Sequence, residues 1–155
     1  MEDWKKDRIA SALKGENPTV IGKMKSGFVV IGDTQFLPGY CVLIGYPKVN
    51  SLNDLNVSQR ADFLIDMSLI GDAITHVCKS IIVNYSIYGN LDNFLHAHIF
   101  PRYEWEEEEK RTHPVSLYPK ENWTIEKYQF SEENYGELKT QLSMKLQELM
   151  EKNYK

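Results

Sequence analysis

Between Ser80 and Tyr88 apolar and polar residues alternate, placing Ile81, Val83, Tyr85 and Ile87 on one face and Ile82, Asn84, Ser86 and Tyr88 on the other. Period two marks a strand. The same period runs through Phe94-Leu95-His96-Ala97-His98-Ile99-Phe100, which predicts a second strand whose two imidazoles share a face. The turn-rich segment Gly89-Asn90-Leu91-Asp92-Asn93 between them predicts an antiparallel pair, with the Asn84 face beside the histidine face. Upstream, Thr19 to Met24 and Phe28 to Ile31 predict a hairpin around Lys25-Ser26-Gly27, with the glycine at the strained position. The unbroken apolar run Tyr40 to Tyr46 predicts a central strand closed by Pro47.

Elsewhere the apolar residues recur at helical spacing. Asp3 predicts the cap of a short docking helix over residues 4 to 14, ended by Gly15. Val49 to Leu55 predicts a loop with a helical turn. Ser58 predicts the cap of a long helix over 59 to 79, in which Phe63, Met67, Ile70, Ile74 and Val77 form the face that covers the sheet. Ser131 opens a final helix with a core stripe of Tyr135, Leu138, Leu142, Leu146 and Leu149. The acidic run Tyr103 to Arg111 predicts a solvated loop without chemistry, Val115 to Tyr118 a short strand, and Trp123 to Phe130 an irregular segment.

Composition narrows what such a domain can do. At 155 residues, 42% hydrophobic and 26% charged, and with no linker or repeat, the chain predicts one domain over residues 1–155. Its 18 basic and 22 acidic residues leave a net charge of −4, which argues against nucleic acid or an anionic membrane as partner and leaves small molecules. The two cysteines, Cys41 and Cys78, stand in apolar surroundings that predict reduced, buried thiols. The amino terminus lacks the apolar core of a signal peptide, so a cytoplasmic protein is expected.

The chemistry centres on His96 and His98. Imidazole accepts a phosphoryl group or moves a proton near neutral pH, because its unperturbed pKa is about 6.5. Two on one face allow two roles: a free nitrogen on one ring attacks, while the other ring donates to a phosphate oxygen. The attacking ring needs an acceptor on its second nitrogen to fix the tautomer.

Gly89-Asn90 followed by Phe94-Leu95-His96-Ala97-His98-Ile99-Phe100-Pro101-Arg102 resembles the signature strand of the histidine triad (HIT) family. The stretch Phe36-Leu37-Pro38-Gly39-Tyr40-Cys41-Val42-Leu43-Ile44, with Pro47-Lys48 and Leu52-Asn53-Asp54-Leu55, is similar to that family's first block. The long helix and carboxy-terminal extension look like its bacterial branch of diadenosine polyphosphate hydrolase-like proteins. The resemblance implies an α+β domain with a mainly antiparallel sheet of five to six strands, a long covering helix, a C-terminal helix and pairing as a homodimer. It implies a nucleotide hydrolase or transferase acting through a covalent nucleotidyl-histidine, with His96 as nucleophile and His98 assisting. Asn84 and Asn90 resemble residues that contact ribose or phosphate, and Phe36 and Leu37 would supply an apolar slot for a base. No intrinsic cofactor is implied; a divalent cation would accompany the substrate phosphates.

Two positions depart from the pattern. With Pro101-Arg102 setting the register, Phe94 stands where the first triad histidine is expected, and Tyr40 replaces the upstream histidine. In the family the central histidine is held by a main-chain carbonyl at the first triad position, so Phe94 can orient His96 without an imidazole of its own. A second register makes His98 central and Phe100 third. A non-catalytic nucleotide-binding module is the competing reading; a metal site on His96 and His98 would need a third and fourth ligand, and His76 and His113 lie outside the motif blocks with no recognised spacing.

Overall fold

The computed structural model describes residues 2–154. Five antiparallel strands form one sheet: β1 (Val20–Met24), β2 (Gly27–Ile31), β3 (Cys41–Gly45), β4 (Ile82–Ser86) and β5 (His96–Arg102), in the order β1-β2-β3-β5-β4. The apolar run predicted to be central is indeed flanked on both sides, by β2 and β5. The hairpin turn is shorter than predicted, because Gly27 belongs to β2. Glycine is required there by packing: a Cβ would stand 1.9 Å from the Ile44 carbonyl oxygen on β3.

The helices are α1 (Asp3–Lys6), α2 (Arg8–Leu13), α3 (Val57–Cys78), α4 (Glu108–Arg111) and α5 (Glu132–Asn153). The helix predicted over 4 to 14 is broken in two, since Asp7 is extended and its carboxylate caps α2 by accepting from the Ala10 N–H. Ser58 does not cap the long helix. Asn56 does, in a reciprocal capping box with Gln59, so α3 starts two residues before the expected 59. Ser131 caps α5 as predicted. Val115–Leu117 is a 3-10 turn rather than a strand, and two further 3-10 turns, Lys120–Trp123 and Glu126–Tyr128, lie in the segment that follows.

Strand alternation sends Val29, Ile31, Cys41, Leu43, Ala97 and Ile99 to one side of the sheet, where Phe63, Met67, Ile70 and Ile74 of α3 and Leu142, Leu146 and Met150 of α5 close the main core. The opposite side carries Tyr40, Val42, Ile44, His96, His98 and Phe100, as the register pairs Val42 with His98 and Ile44 with His96. Half of that side is closed by a second cluster of Phe36, Leu37, Tyr40, Phe100 and Tyr103, with Trp123 and Tyr118 against it. The rest is open around the histidines. Both cysteines are free thiols; Cys41 is buried and Cys78 half-buried. No helix among the described residues is long and apolar enough to cross a membrane.

Candidate active site

His96 and His98 point from the same face of β5, their rings 4.9 Å apart and nearly perpendicular. The Nδ1 of His96 lies 2.8 Å from the Phe94 carbonyl oxygen. A carbonyl only accepts, so Nδ1 carries the proton and Nε2 keeps a free lone pair. The hydrogen-bond network therefore assigns the tautomer, and it does so through backbone that any side chain at position 94 would supply.

The Nδ1 of His98 is 2.7 Å from the Tyr40 hydroxyl. Burial and the Asp33 charge hold the Tyr40 phenol in its protonated form by raising its pKa above the usual value. A phenol donates better than it accepts, and the neutral imidazole nitrogen is the better acceptor. The pair therefore favours O–H donation to Nδ1, with the proton of His98 on Nε2. Tyr40 is itself fixed by a parallel stack on Phe100, ring centroids 3.9 Å apart. Gly32 makes room for it, since a Cβ there would meet the Tyr40 ring at 2.2 Å. The register with His98 central lacks a carbonyl on the His98 ring, whose Nδ1 faces Tyr40 instead.

Burial lowers the His98 pKa, the neighbouring His96 lowers it further and Asp92 partly opposes them, leaving it at about 4. His98 is thus neutral at physiological pH. Its folded value lies below the 6.5 of the exposed group, so the stability tied to neutral His98 is present above pH 6.5 and lost as pH falls toward 4. A proton NMR titration of the ring Hε1 should show no transition for His98 between pH 7.5 and 5.5; a midpoint near 6.5 would contradict the half-buried, Tyr40-bonded geometry.

Two cavities flank the histidines. A cleft of about 310 Å³ is lined by His96, His98, Phe94, Val42, Ile44, Asp33, Asp92, Arg8 and Trp123, among others. Arg8 crosses it to Asp33 in a bidentate pair, Nη1 to Oδ1 at 2.9 Å and Nη2 to Oδ2 at 2.7 Å, which brings the amino-terminal helices against the cleft. On the far side of Trp123 a groove of about 760 Å³ runs between β4 and residues 111–116, again reaching His98.

The other expected site residues are dispersed. Asn84 shares the histidine face, as its partner on β5 is Phe100, and it lines the groove; its Oδ1 accepts from Arg102 Nη1 at 3.0 Å. Asn90 is exposed on the turn before β5 and lines neither cavity. Phe36 and Leu37 are only 6% and 1% exposed. They stand behind Trp123, whose ring edge meets Phe36 at 5.0 Å, and contribute to neither cavity wall. The geometry places the apolar cleft wall on Val42, Ile44, Phe94 and Trp123 instead.

The acidic run is not all solvated: Glu106 is buried and paired with Arg102. Arg102, 2% exposed, donates from Nε and Nη2 to the Glu106 carboxylate, from Nη2 also to the Lys110 carbonyl, and from Nη1 to Asn84 Oδ1 and the His113 carbonyl. That hub ties the 104–114 segment to the end of β5 and so shapes the groove. Its i, i+4 spacing was the only trace in the sequence. For Trp123, Arg8 and Asp33, which reach the site from distant parts of the chain, no local signal existed. Among the described residues no group of three or more His, Cys, Asp and Glu side chains comes together as a metal cluster.

The architecture has solved counterparts. A histidine triad protein from Marinobacter aquaeolei superposes with a TM-score of 0.69 at 19% identity over 84% of this chain and 89% of its own. A hypothetical histidine triad nucleotide-binding protein from Sulfolobus tokodaii gives 0.69 at 14% identity, covering 95% of this chain and 96% of its own. The diadenosine triphosphate hydrolase of Plasmodium falciparum, solved with cyclomarin A, gives 0.56 at 12% identity over 89% and 80%. No protein-family model and no curated protein matches the sequence. The chain has the histidine triad fold, a five-stranded antiparallel sheet with a long helix and a carboxy-terminal helix.

Proposed function

We propose that this protein is a HIT-type nucleotide hydrolase or transferase in which His96 is the nucleophile. The observation that carries the reading is the 2.8 Å contact from His96 Nδ1 to the Phe94 carbonyl, which frees Nε2 in a cleft of nucleotide-like size despite the missing triad histidine. Nε2 attacks the α-phosphorus of a nucleoside phosphoanhydride or phosphoramidate, such as a dinucleoside polyphosphate. An N–P bond forms, the bond from phosphorus to the bridging atom breaks, and its electron pair leaves with the departing group, as a phosphate oxyanion from an anhydride or, from a phosphoramidate, as an amine that takes a proton from solvent. Water then attacks the nucleotidyl-imidazole, a P–O bond forms, the water's proton passes to solvent, the N–P bond breaks and His96 is restored. His98 donates a hydrogen bond from Nε2 to the phosphate during both steps. A divalent cation travels with the substrate phosphates, and no resident cofactor is invoked.

Asn84 keeps its amide hydrogens for a ligand in the groove, and Asn90 would contact one only by movement of the turn before β5. Phe36 and Leu37 act at one remove, by backing Trp123. The homodimer expected for such a protein would use α3 and the free edge of β4; pairing along that edge extends the sheet in its own plane and leaves the histidine face open.

The test is a panel of diadenosine polyphosphates and an adenosine phosphoramidate, quenched in base because phosphohistidine bonds are labile in acid. Intact-mass analysis should find a nucleotidyl adduct, and peptide mapping should place it on His96, alongside turnover. Calorimetric binding of nucleotide with neither adduct nor turnover across the panel would establish the non-catalytic module instead, the reading that the residues at positions 94 and 40 favour.

A further inference from the structure

The helices α1 and α2 lie outside the blocks that resemble the HIT family, yet buried polar side chains hold them in one place. Ser11 shares its hydroxyl proton between the Trp4 carbonyl at 2.9 Å and the Arg8 carbonyl at 3.1 Å. Asn17 donates from Nδ2 to the same Arg8 carbonyl at 3.2 Å, and its Oδ1 accepts from the N–H and the hydroxyl of Thr19, the residue before β1. All three side chains are buried, and burial of a polar group is tolerated when it is hydrogen-bonded in this way. The backbone of Trp4 and Arg8 is thereby tied to the start of the sheet.

The tie fixes one plane beside the histidines. The Arg8 guanidinium forks onto both oxygens of Asp33, which sets the orientation of its plane. Its Cζ stands over the Trp4 indole, 5.2 Å from the ring centroid, so one face of the plane is covered. Arg8 also lines the cleft, which keeps about 310 Å³ with the Arg8–Asp33 pair closed. The residue is therefore part of the wall and does not fill the space. Because Asp33 meets its charge, what Arg8 offers a ligand is chiefly a flat, weakly hydrated surface. Nucleobases stack on guanidinium planes as they do on aromatic rings. The Phe94 ring, on the same cleft, is already engaged by the His96 ring at 4.7 Å and by the Lys48 ammonium at 5.5 Å.

We propose that Arg8 is a specificity-determining residue of the cleft: its guanidinium, oriented by Asp33 and backed by Trp4, is the platform on which the base of a bound nucleotide stacks. The assignment rests on the reading of the cleft as a nucleotide site and is independent of turnover and of the role of His96. It makes the cleft select for a planar ring as well as for a phosphate.

Titration calorimetry with AMP and with ribose 5-phosphate, which carries sugar and phosphate without the base, tests the platform. The wild type should bind AMP about tenfold or more tighter than ribose 5-phosphate, from stacking of the base. Arg8→Lys keeps a charge opposite Asp33 and has no plane; the ratio should fall about fivefold, with ribose 5-phosphate affinity unchanged within about twofold. Arg8→Gln is planar and uncharged, and should retain more of the ratio than Arg8→Lys. A residue that merely docks the helices would give the opposite order, since lysine alone keeps the ion pair. Arg8→Gln no better than Arg8→Lys, or AMP binding unchanged in both, would overturn the platform and leave the nucleotide site. Tighter AMP binding by either variant would make Arg8 a plug and overturn it too. A wild-type ratio near one would overturn the platform alone, whereas a wild type that binds neither ligand would take the nucleotide reading of the cleft with it.

Discussion

If His96 is the nucleophile proposed above, replacing it with alanine should lower kcat/KM on a dinucleoside polyphosphate by about 10⁴-fold or more, the scale seen when a covalent nucleophile is removed. The fold survives, because His96 is only half-buried and the partner it loses is a carbonyl that the cleft can hydrate. His96→Gly supplied with free imidazole regains part of the turnover, since the small ring can occupy the space and donate to the same carbonyl. A structural role would not be rescued in this way. Restoring the missing triad residue is the sharper comparison. Phe94→His should change kcat by less than about tenfold, because the carbonyl at position 94 orients His96 whatever side chain stands there. A large gain from Phe94→His would show that the imidazole, and not the carbonyl, is the limiting support. Steady-state kinetics on the three variants, with circular dichroism as the control for folding, decides between them.

The second large effect is on stability. Arg102→Ala removes a guanidinium that is 2% exposed and leaves the Glu106 carboxylate buried without its counter-charge. Breaking a buried pair from one side costs about 3–5 kcal/mol, which for a domain of this size lowers Tm by roughly 10 °C. The double variant Arg102→Met with Glu106→Gln should recover much of that loss, as no charge then remains buried. Burial alone would raise the Glu106 pKa, but the Arg102, Tyr118 and Tyr103 hydrogen bonds outweigh it and hold the carboxyl below its ordinary value. The stability from this hub is therefore full above the unfolded carboxylate pKa and is lost as pH falls through the depressed one. Urea unfolding of the single and double variants at neutral and acidic pH measures both statements. Equal stability of wild type and Arg102→Ala would remove the hub from the account.

The hub also shows how a local rule can mislead. Four consecutive glutamates in Trp105-Glu106-Glu107-Glu108-Glu109 have the pattern of a solvated face, and three of them are exposed. Which one turns inward depends on where Arg102 finishes β5, and that is fixed by pairing Ile82 with Arg102 across the sheet edge. The caps behaved similarly. Asn56 and Ser58 are both competent N-caps, and the choice fell to Asn56 because Gln59 completes its capping box. The break at Asp7 has the same origin in a side chain that satisfies the backbone of α2.

The sequence by itself determined the five strands of the sheet, the two long helices and the face that carries His96 and His98, while the backbone support of His96 at position 94 was implied only by the family resemblance and is seen in the structure. Each depends on residues a few positions apart, and a period of two or of 3.6 writes such relations directly into the chain. The tertiary structure alone decided that Tyr40 meets His98, that Arg8 reaches Asp33, and that Trp123 divides the open face into a cleft and a groove. Those contacts join segments 25 or more residues apart. Their partners are set by sheet register and by how the 103–130 segment packs on Phe100, to which no local pattern responds. The histidine strand was therefore visible from its own residues, while the space around it existed only once the chain had closed over it.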